Sequence, residues 1–308
     1  IKRLVNSGVK IYNVIKTNQN TPSSFLKQIR IHQWSKNILF FIPTIAAHKI
    51  FNLNFFLSCF VAFFSFSLIA SGVYIFNDFL DIDNDRSHPI KKTRPLANAK
   101  IYSIYATILM LLLFLLGLVI SFRLGATYFI LCIVYIILNI FYSGILKKII
   151  VIDIILLSFF YMIRLFGGFV INNIEFSVWL TGFFFFVFLS LGSMKRFIEI
   201  LKLKDRPSRR GYIASDSQVI QSIGLSSGIV AALILTLYSV SENVFILYNS
   251  PLIILLIVPL YVYWILRIWI LANREIVDMD PVIFTIKDSL TYCLVLISGI
   301  IIFLASVI

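Results

Sequence analysis

Apolar residues gather into nine long runs separated by short polar intervals: about 36 to 50, 54 to 77, 102 to 122, 126 to 144, 150 to 171, 177 to 196, 219 to 241, 251 to 271 and 289 to 307. Most approach the roughly 20 residues that an α-helix needs to cross the hydrocarbon core of a bilayer. The first run is the weakest, being short and interrupted by Pro43. The pattern predicts an all-α polytopic membrane protein with nine transmembrane helices. Residues 1 to 26, rich in Asn, Thr, Ser and Lys and starting at Ile1 rather than Met, are expected to be a cytoplasmic tether, or a linker from an upstream domain. Residues 27 to 308 then form the membrane domain.

Composition agrees. Of 308 residues 60% are hydrophobic and only 13% charged, which excludes an ordinary soluble domain. The net charge of +13 could suggest nucleic acid, but its placement argues against that partner. Of 27 Lys and Arg, all but Lys49, Arg123 and Arg164 fall in the N-terminal segment or at and beyond the ends of runs two, four, six and eight. That alternation is the positive-inside pattern. It predicts a cytoplasmic N-terminus and a C-terminus outside. Cys59, Cys132 and Cys293 all lie within apolar runs, too scattered for a disulfide framework or a thiolate metal site, and are read as packing or lipid-facing residues.

The densest polar feature closes the second run: Asn77-Asp78-Phe79-Leu80-Asp81-Ile82-Asp83-Asn84-Asp85. Carboxylates at a membrane boundary are costly and mark function. At about 100° per residue on a helix, Asp78, Asp81 and Asp85 fall within one narrow stripe while Asp83 points away. Three carboxylates on one face repel unless a cation sits among them. Oxygen ligands with no His or Cys nearby suit Mg²⁺, which keeps several waters and is held by one or two carboxylates together with a substrate's phosphates. Asn77, Asp78, Asp81 and Asp85 are therefore the candidate metal ligands, Asp78, Asp81 and Asp85 the candidate catalytic carboxylates, and a diphosphate the expected ligand. The run of Arg86, His88, Lys91, Lys92 and Arg94, punctuated by Pro89 and Pro95, reads as a phosphate-binding strap, with Lys91 and Arg94 its candidate ligands.

Further candidates lie at other run ends. Arg30, Gln33 and Asn37 share a helical stripe with Trp34 at the entry to run one. Tyr142 and Lys147 follow run four, and run five carries Asp153 and Arg164, eleven residues and about 16 Å apart on one face, too far to pair with each other. Each needs polar partners in the protein interior, since facing lipid costs roughly 3 kcal/mol or more. Lys195, Arg196 and Glu199 form a second mixed-charge helix end after run six. The last basic loop offers local charge balance, with Arg267 as its one outer candidate. No Ser/His/Asp triad, nucleotide-binding glycine loop or zinc spacing is present.

Nine spans, with Asn-Asp-x-x-Asp-x-x-x-Asp closing the second, resemble the UbiA superfamily of intramembrane prenyltransferases over about residues 25 to 308. More narrowly, Gln33-Trp34-Ser35-Lys36-Asn37, Asn77 to Asp85, Arg86-x-His88-Pro89-x-Lys91-x-x-Arg94-Pro95, Tyr142-Ser143 with Lys147 and Asp153, and Lys195-Arg196-x-x-Glu199 look like its decaprenyl-phosphate phosphoribosyltransferase branch. The stretch from Trp179 through Gly211-Tyr212 to Asp280-Pro281 is also similar to bacterial proteins in which such a domain follows a haloacid-dehalogenase-like phosphatase domain. The resemblance implies a helical bundle around a central cavity open to the cytoplasm, in a bacterial inner membrane. It implies a phosphoribosyl pyrophosphate donor, a polyprenyl phosphate acceptor, Mg²⁺ as cofactor and a partner or upstream phosphatase, and leaves homo-oligomerisation open.

The aromatic prenyltransferases of that superfamily carry a second aspartate-rich motif after span six. Here Lys195, Arg196 and Glu199 stand in its place, and Asp205 is wrongly spaced for a paired motif. Basic residues suit a donor with an additional phosphate. Prenyl transfer from a diphosphate to a small acceptor is the alternative, and a transporter or lipid-binding protein without catalysis is the third reading, disfavoured by an odd helix count and by a metal-type stripe at the interface.

Overall fold

The computed structural model describes residues 20–87, 90–202, 210–277 and 280–308. These residues are helical with short connections and no strand. His88, Pro89, Asp205 and Asp278 lie outside them, as do residues 1–19 of the expected tether.

Among the described residues, eight helices are long and apolar enough to cross a membrane, and they match predicted runs two to nine. They are α3 (Leu53–Leu80), α5 (Ser103–Leu124), α6 (Ala126–Gly144), α7 (Ile152–Ile171), α8 (Val178–Leu201), α9 (Ser217–Ser239), α11 (Ile257–Asn273) and α13 (Ser289–Val307). Short 3₁₀ turns lead into α9 and α11. The shorter helices are α1 (Pro22–Ile29), α2 (Ile42–Ala46), α4 (Ile82–Ser87), α10 (Glu242–Leu247) and α12 (Pro281–Lys287).

The first predicted run departs from a regular span. Helix α1 starts at Pro22 behind a Thr21 N-cap, so the expected boundary at residue 26 falls inside it. It stops at Arg30, whose φ of 57° lies in the left-handed region. Residues Ile31–Phe41 continue as a 3₁₀ helix, and α2 follows with Pro43 in its first turn. Eleven residues is long for a 3₁₀ helix, a form that rarely persists beyond four and often marks a hinge or strain. The changed period matters, because i and i+3 eclipse in a 3₁₀ helix. Trp34, Asn37 and Phe40 form one ridge and Gln33 and Lys36 another, in place of the α-helical stripe through Arg30, Gln33 and Asn37.

The chain divides into two compact units, residues 1–35 with 65–119, and residues 36–64 with 120–308. In the first, the C-terminal half of α3 lies close against α5: Ser65 Oγ donates to the Gly117 carbonyl at 2.8 Å, and Gly72 faces the ring of Phe114. Trp34 Nε1 donates to Ser71 Oγ at 3.0 Å, docking the start of the 3₁₀ segment on α3. Tyr102 and Lys100 hold Asn20 through backbone hydrogen bonds, which seats the N-terminus of α1 beside the loop before α5.

In the second unit α7, α8, α9 and α11 enclose the main apolar core, with Leu165, Met162, Met194 and Trp269 fully buried. Trp269 lies against Gly224 and donates from Nε1 to Ser190 Oγ at 3.0 Å. The later 3₁₀ residues and α2 press on α7, where Phe40 and Pro43 meet Gly167 and Gly168. Asn172 closes this contact by donating to Thr44 Oγ1 at 2.9 Å. Cys59 and Cys132 are buried packing residues and Cys293 is exposed; none is paired in a disulfide. A cavity of about 500 Å³ opens between the Leu124–Tyr128 turn and the C-terminal end of α7. It lies at the ends of α6 and α7 remote from Tyr142 and Asp153. Exposed Val295, Leu296, Ile300 and Phe303 make α13 a lipid-facing helix.

A Cβ on Gly168 would lie 2.3 Å from the Phe40 carbonyl oxygen and 2.9 Å from the Pro43 ring. Gly168→Ala is therefore expected to destabilise by about 1–3 kcal/mol, because backbone must move. Gly299→Ala, with nothing within 4 Å of the added carbon, is the control that leaves stability unchanged or slightly raised. Thermal unfolding of the two variants in detergent checks this.

Candidate functional site

Helix α3 ends at Leu80 and α4 begins at Ile82, but helical hydrogen bonding continues across the Asp81 turn between them. The Asp81 amide donates to the Asn77 carbonyl and the Asp85 amide to the Asp81 carbonyl, carrying the helical phase into α4. Asp78 and Asp85 consequently lie on one side, both buried, while Asp83 is exposed and faces Arg86 at 3.5 Å. Asp78 and Asp85 share Arg94, whose Nη1 sits 3.0 Å from Asp78 Oδ1 and 2.6 Å from Asp85 Oδ2. Arg30 also donates to Asp78 Oδ1 and lies over the Tyr74 ring at 5.3 Å. Gln28, fully buried on α1, donates from Nε2 to Asp78 Oδ2 at 2.8 Å. Both oxygens of Asp78 thus carry donors.

The loop holds Arg94 in place. Buried Leu96 and Ala97 anchor it, Arg86 Nε donates to the Ala97 carbonyl at 3.3 Å, and the Arg94 amide donates to the Lys91 carbonyl at 3.0 Å. Asn77, Asp81 and Lys91 are half-buried and engaged in interactions of their own. Gln33 is half-buried on the 3₁₀ ridge.

The oxygens of Asn77, Asp78, Asp81 and Asp85 could hold a hard divalent cation. Among the described residues no three His, Cys, Asp or Glu approach closely enough to make an all-protein cage. A cation at Asp78 and Asp85 would therefore have to complete its shell with waters or a ligand's oxygens, as Mg²⁺ does with phosphate. One further observation fits a cation here: Gln28 Oε1 is buried without a hydrogen-bond partner. An orphaned acceptor costs about 1–3 kcal/mol, a penalty that a cation or its bound water relieves.

The second unit contains a separate charge array. Asp153, fully buried at the start of α7, accepts from Arg196 Nε and, at 2.5 Å, from the Tyr212 hydroxyl. Arg196, also fully buried, donates in addition to Glu199 and, at 3.3 Å, to the Tyr142 hydroxyl. Arg210 donates to Tyr142 at 2.8 Å and lies 3.5 Å from Glu199 and 3.8 Å from Asp153. Two carboxylates face two guanidinium groups, so the array is close to neutral. Burial, followed by the bond to Asp153, pushes the Tyr212 hydroxyl well above its ordinary pKa and keeps it a donor. Tyr212 also accepts the Val151 amide at 2.9 Å, holding a β-branched residue at φ 68°. Left-handed backbone at valine is strained and persists only where its surroundings impose it. Lys147, half-buried in the 3₁₀ turn just before, is engaged as well.

Nearer the middle of α7, Arg164 Nε donates to Asn37 Oδ1 at 2.7 Å, while its other nitrogens reach the Phe160 carbonyl and, at 3.4 Å, the Tyr135 hydroxyl. Its guanidinium lies over the rings of Tyr135 and Tyr161. Lys36 and Lys195 both turn to Asp280, at 2.6 and 3.5 Å. Asp280 also caps α12 by accepting from the Val282 and Ile283 amides. Burial alone would raise the Asp280 carboxyl, but Lys195 and Lys36 outweigh it and hold the group well below the usual carboxylate range. Arg267 is engaged by both oxygens of Asp288, at 2.8 and 3.1 Å.

Of the residues singled out from sequence, Asp78, Asp85, Arg30 and Arg94 come together in the first unit. Tyr142, Asp153, Arg196 and Glu199 do so in the second, as do Asn37 and Arg164. Sequence reasoning passed over Gln28 and Arg210 as site residues, and gave Tyr212, Lys36 and Asp280, noted only within stretches of resemblance, no chemistry. Asp280-Pro281 carried a readable N-cap signature, whereas Gln28 lay beside a segment read as tether.

Residues 38–286 match the profile of the UbiA prenyltransferase family. The protein y4nM of Sinorhizobium fredii is 30% identical over 94% of the chain, and the chain spans 57% of that relative's length. Nodulation protein NoeC of Azorhizobium caulinodans is 29% identical over 86% of the chain and 87% of its own. A decaprenyl-phosphate phosphoribosyltransferase of Mycolicibacterium smegmatis is 31% identical over 69% of the chain and 70% of its own. In three dimensions the chain is similar to a UbiA homolog from Archaeoglobus fulgidus solved with GPP and Mg²⁺, at a TM-score of 0.65 and 15% identity, covering 91% of this chain and 96% of that one.

Two stability predictions follow from the second array. Asp153→Ala strands a buried guanidinium and is expected to cost about 3–5 kcal/mol in unfolding free energy, while Arg210→Ala, at the array's solvent side, costs under about 1 kcal/mol. Because Asp280 has a depressed pKa, its contribution is present above the unfolded carboxyl value near about 3.9 and is lost only as pH falls through the lower folded value. The stability gap between wild type and Asp280→Asn is thus expected to stay constant from neutral pH to about 5 and to close below that, measured by thermal unfolding across pH.

Proposed function

This chain belongs to the UbiA prenyltransferase family, and from that premise we propose that it transfers 5-phosphoribosyl from phosphoribosyl pyrophosphate to a polyprenyl phosphate. The bond from C1 to the pyrophosphate oxygen breaks and a bond from C1 to the acceptor's phosphate oxygen forms. The products are polyprenyl-phosphoryl-5-phosphoribose and pyrophosphate. The observation that carries this reading is the end of α8, where Lys195, Arg196 and Glu199 occupy the place of a second aspartate motif. The named phosphoribosyltransferase relative supports it.

In this reading Asn77, Asp78, Asp81 and Asp85 would hold Mg²⁺, which would supply positive charge to the diphosphate leaving group. Arg94 and Arg30, with Lys91 beside them, face the leaving pyrophosphate. Lys147 and Lys195 supply positive charge to the 5-phosphate and the acceptor phosphate, while Arg164, buried with its nitrogens on Asn37, the Phe160 carbonyl and Tyr135, acts as a positioning residue. The donors of Arg196 are taken by Asp153, Glu199 and Tyr142, so it acts as a positioning residue rather than a clamp. The acceptor is already anionic and needs no strong general base. Rate acceleration comes from placing two charged substrates and from fixed cations around an oxocarbenium-like centre. The basic loops, and the active site with them, face the cytoplasm of a bacterial inner membrane, where the soluble donor is supplied. A separate phosphatase then removes the 5-phosphate from the product.

Membranes containing the chain, incubated with Mg²⁺, polyprenyl phosphate and radiolabelled phosphoribosyl pyrophosphate, are expected to transfer label into organic solvent. EDTA abolishes the transfer, and Asp81→Asn lowers it by about a hundredfold or more. Absence of label, with prenylation of a small aromatic acceptor from a prenyl diphosphate in a parallel assay, would instead assign prenyl transfer.

A further inference from the structure

Asp78 is the most heavily engaged carboxylate of the first array. Its Oδ1 takes Arg30 and Arg94, its Oδ2 takes Gln28, and Arg94 extends the pairing to Asp85. Asp78 itself is almost fully buried, so these are not weak surface pairs. A divalent cation that reaches Asp78 must share or displace two guanidinium groups that are themselves partly shielded from water. Displacing them without offering another anion leaves two positive charges beside a newly arrived doubly positive ion, an arrangement that like-charge repulsion penalises heavily in a partly buried site. A diphosphate removes that penalty. Guanidinium binds phosphate oxygens in the same forked geometry with which it binds carboxylate.

We propose that Arg30 and Arg94 are exchangeable counter-ions, passed from Asp78 and Asp85 to the diphosphate of the substrate as the cation takes the carboxylates, so that cation and diphosphate bind cooperatively. Gln28 supports the exchange from the protein side. Its amide stays on Asp78 Oδ2 and fixes the carboxylate while Oδ1 changes partner. Its orphaned Oε1 offers the incoming cation, or a water bound to it, one more oxygen. The inference rests on the cation–diphosphate reading of this site and adds to it a thermodynamic coupling between the two ligands. Coupling is reciprocal: whatever factor the diphosphate adds to cation affinity, the cation adds to diphosphate affinity.

The test uses the full chain in detergent, with Mn²⁺ as a paramagnetic stand-in for Mg²⁺ and labelled inorganic pyrophosphate as the second probe. Mn²⁺ binding alone is followed by electron paramagnetic resonance, and pyrophosphate retention is measured by equilibrium dialysis with and without Mn²⁺. For wild type, pyrophosphate retention is expected to rise about tenfold or more when Mn²⁺ is present. Arg94→Gln, which releases Asp85 and takes from Asp78 one of its two guanidinium partners, is expected to tighten Mn²⁺ alone by about tenfold while weakening pyrophosphate retention by a similar factor. Arg30→Gln shifts both in the same senses by smaller factors. Opposite shifts cannot arise from a misfolded variant, which loses both ligands. Loss of both affinities in Arg94→Gln, or independence of the two ligands in wild type, overturns the proposal. Cooperative binding with no phosphoribosyl transfer would leave it standing and remove only the donor assignment, whereas transfer with independent binding would remove the coupling alone.

Discussion

A charge buried in a protein that crosses a membrane has no water to turn to, and the carboxylate of Asp78 shows how this chain meets that constraint. Two segments far apart in sequence converge on it, with Gln28 and Arg30 from α1 and its C-terminus and Arg94 from the loop before α5. Each partner's backbone is fixed by a different local device. Gln28 rides on a helix opened by Thr21 and Pro22, Arg30 sits at a left-handed helix terminus, and Arg94 follows a 3₁₀ turn anchored by Leu96 and Ala97. Removing one partner leaves the others facing an unbalanced charge, so the segments are energetically dependent on one another. The site is in this sense a folding element of its unit as well as a chemical one.

The second unit applies the same rule with a different balance. Around Asp153, two carboxylates and two guanidinium groups close on themselves, with tyrosine hydroxyls filling the remaining hydrogen-bond capacity. Such a closed array is rigid and hard to invade, because any entering anion must compete with carboxylates already in place. Lys36 and Lys195 differ. Among the described residues they share one carboxylate, that of Asp280, so the lysines outnumber the carboxylates there two to one. Charge surplus, rather than the presence of basic residues as such, separates a place that attracts phosphate from one that merely satisfies itself. By that criterion the lysines outrank Arg196, although all three are close neighbours in sequence or in space.

Much of this was legible in the amino-acid sequence, and the reasons are local. Apolar length alone located eight crossing helices, since a bilayer imposes a minimum length and tolerates few charges within it. The pairing of Asp78 with Asp85 was legible because helical hydrogen bonding continues across the Asp81 turn from α3 into α4, which keeps i and i+7 on one face. Two things were not legible. A 3₁₀ segment of eleven residues has no clear sequence signature, and it takes Asn37 off the α-helical stripe with Arg30 and Gln33 and gives it to Arg164, while Lys36 meets Asp280. Partnerships such as Lys36 with Asp280 or Asn37 with Arg164 join residues separated by 244 and 127 positions, a distance at which composition and spacing say nothing about which charge meets which.

The 3₁₀ segment links these observations. Tighter winding lengthens the rise per residue from about 1.5 to about 2.0 Å and aligns side chains three apart. Within the second unit, one short stretch can then present Lys36 to Asp280 and Asn37 to Arg164, with Phe40 locked against Gly167. A regular α-helix turns by about 100° per residue in place of about 120°, so Asn37 and Phe40, three apart, would diverge by about 60° and could not both keep their contacts on α7. The poorer hydrogen-bond geometry of the 3₁₀ form is offset by side-chain bonds that are worth more in a dry interior than in water. The glycine pair in α7 is what makes the exchange feasible, since only residues without a Cβ let Phe40 and Pro43 approach closely enough to hold the segment in that form.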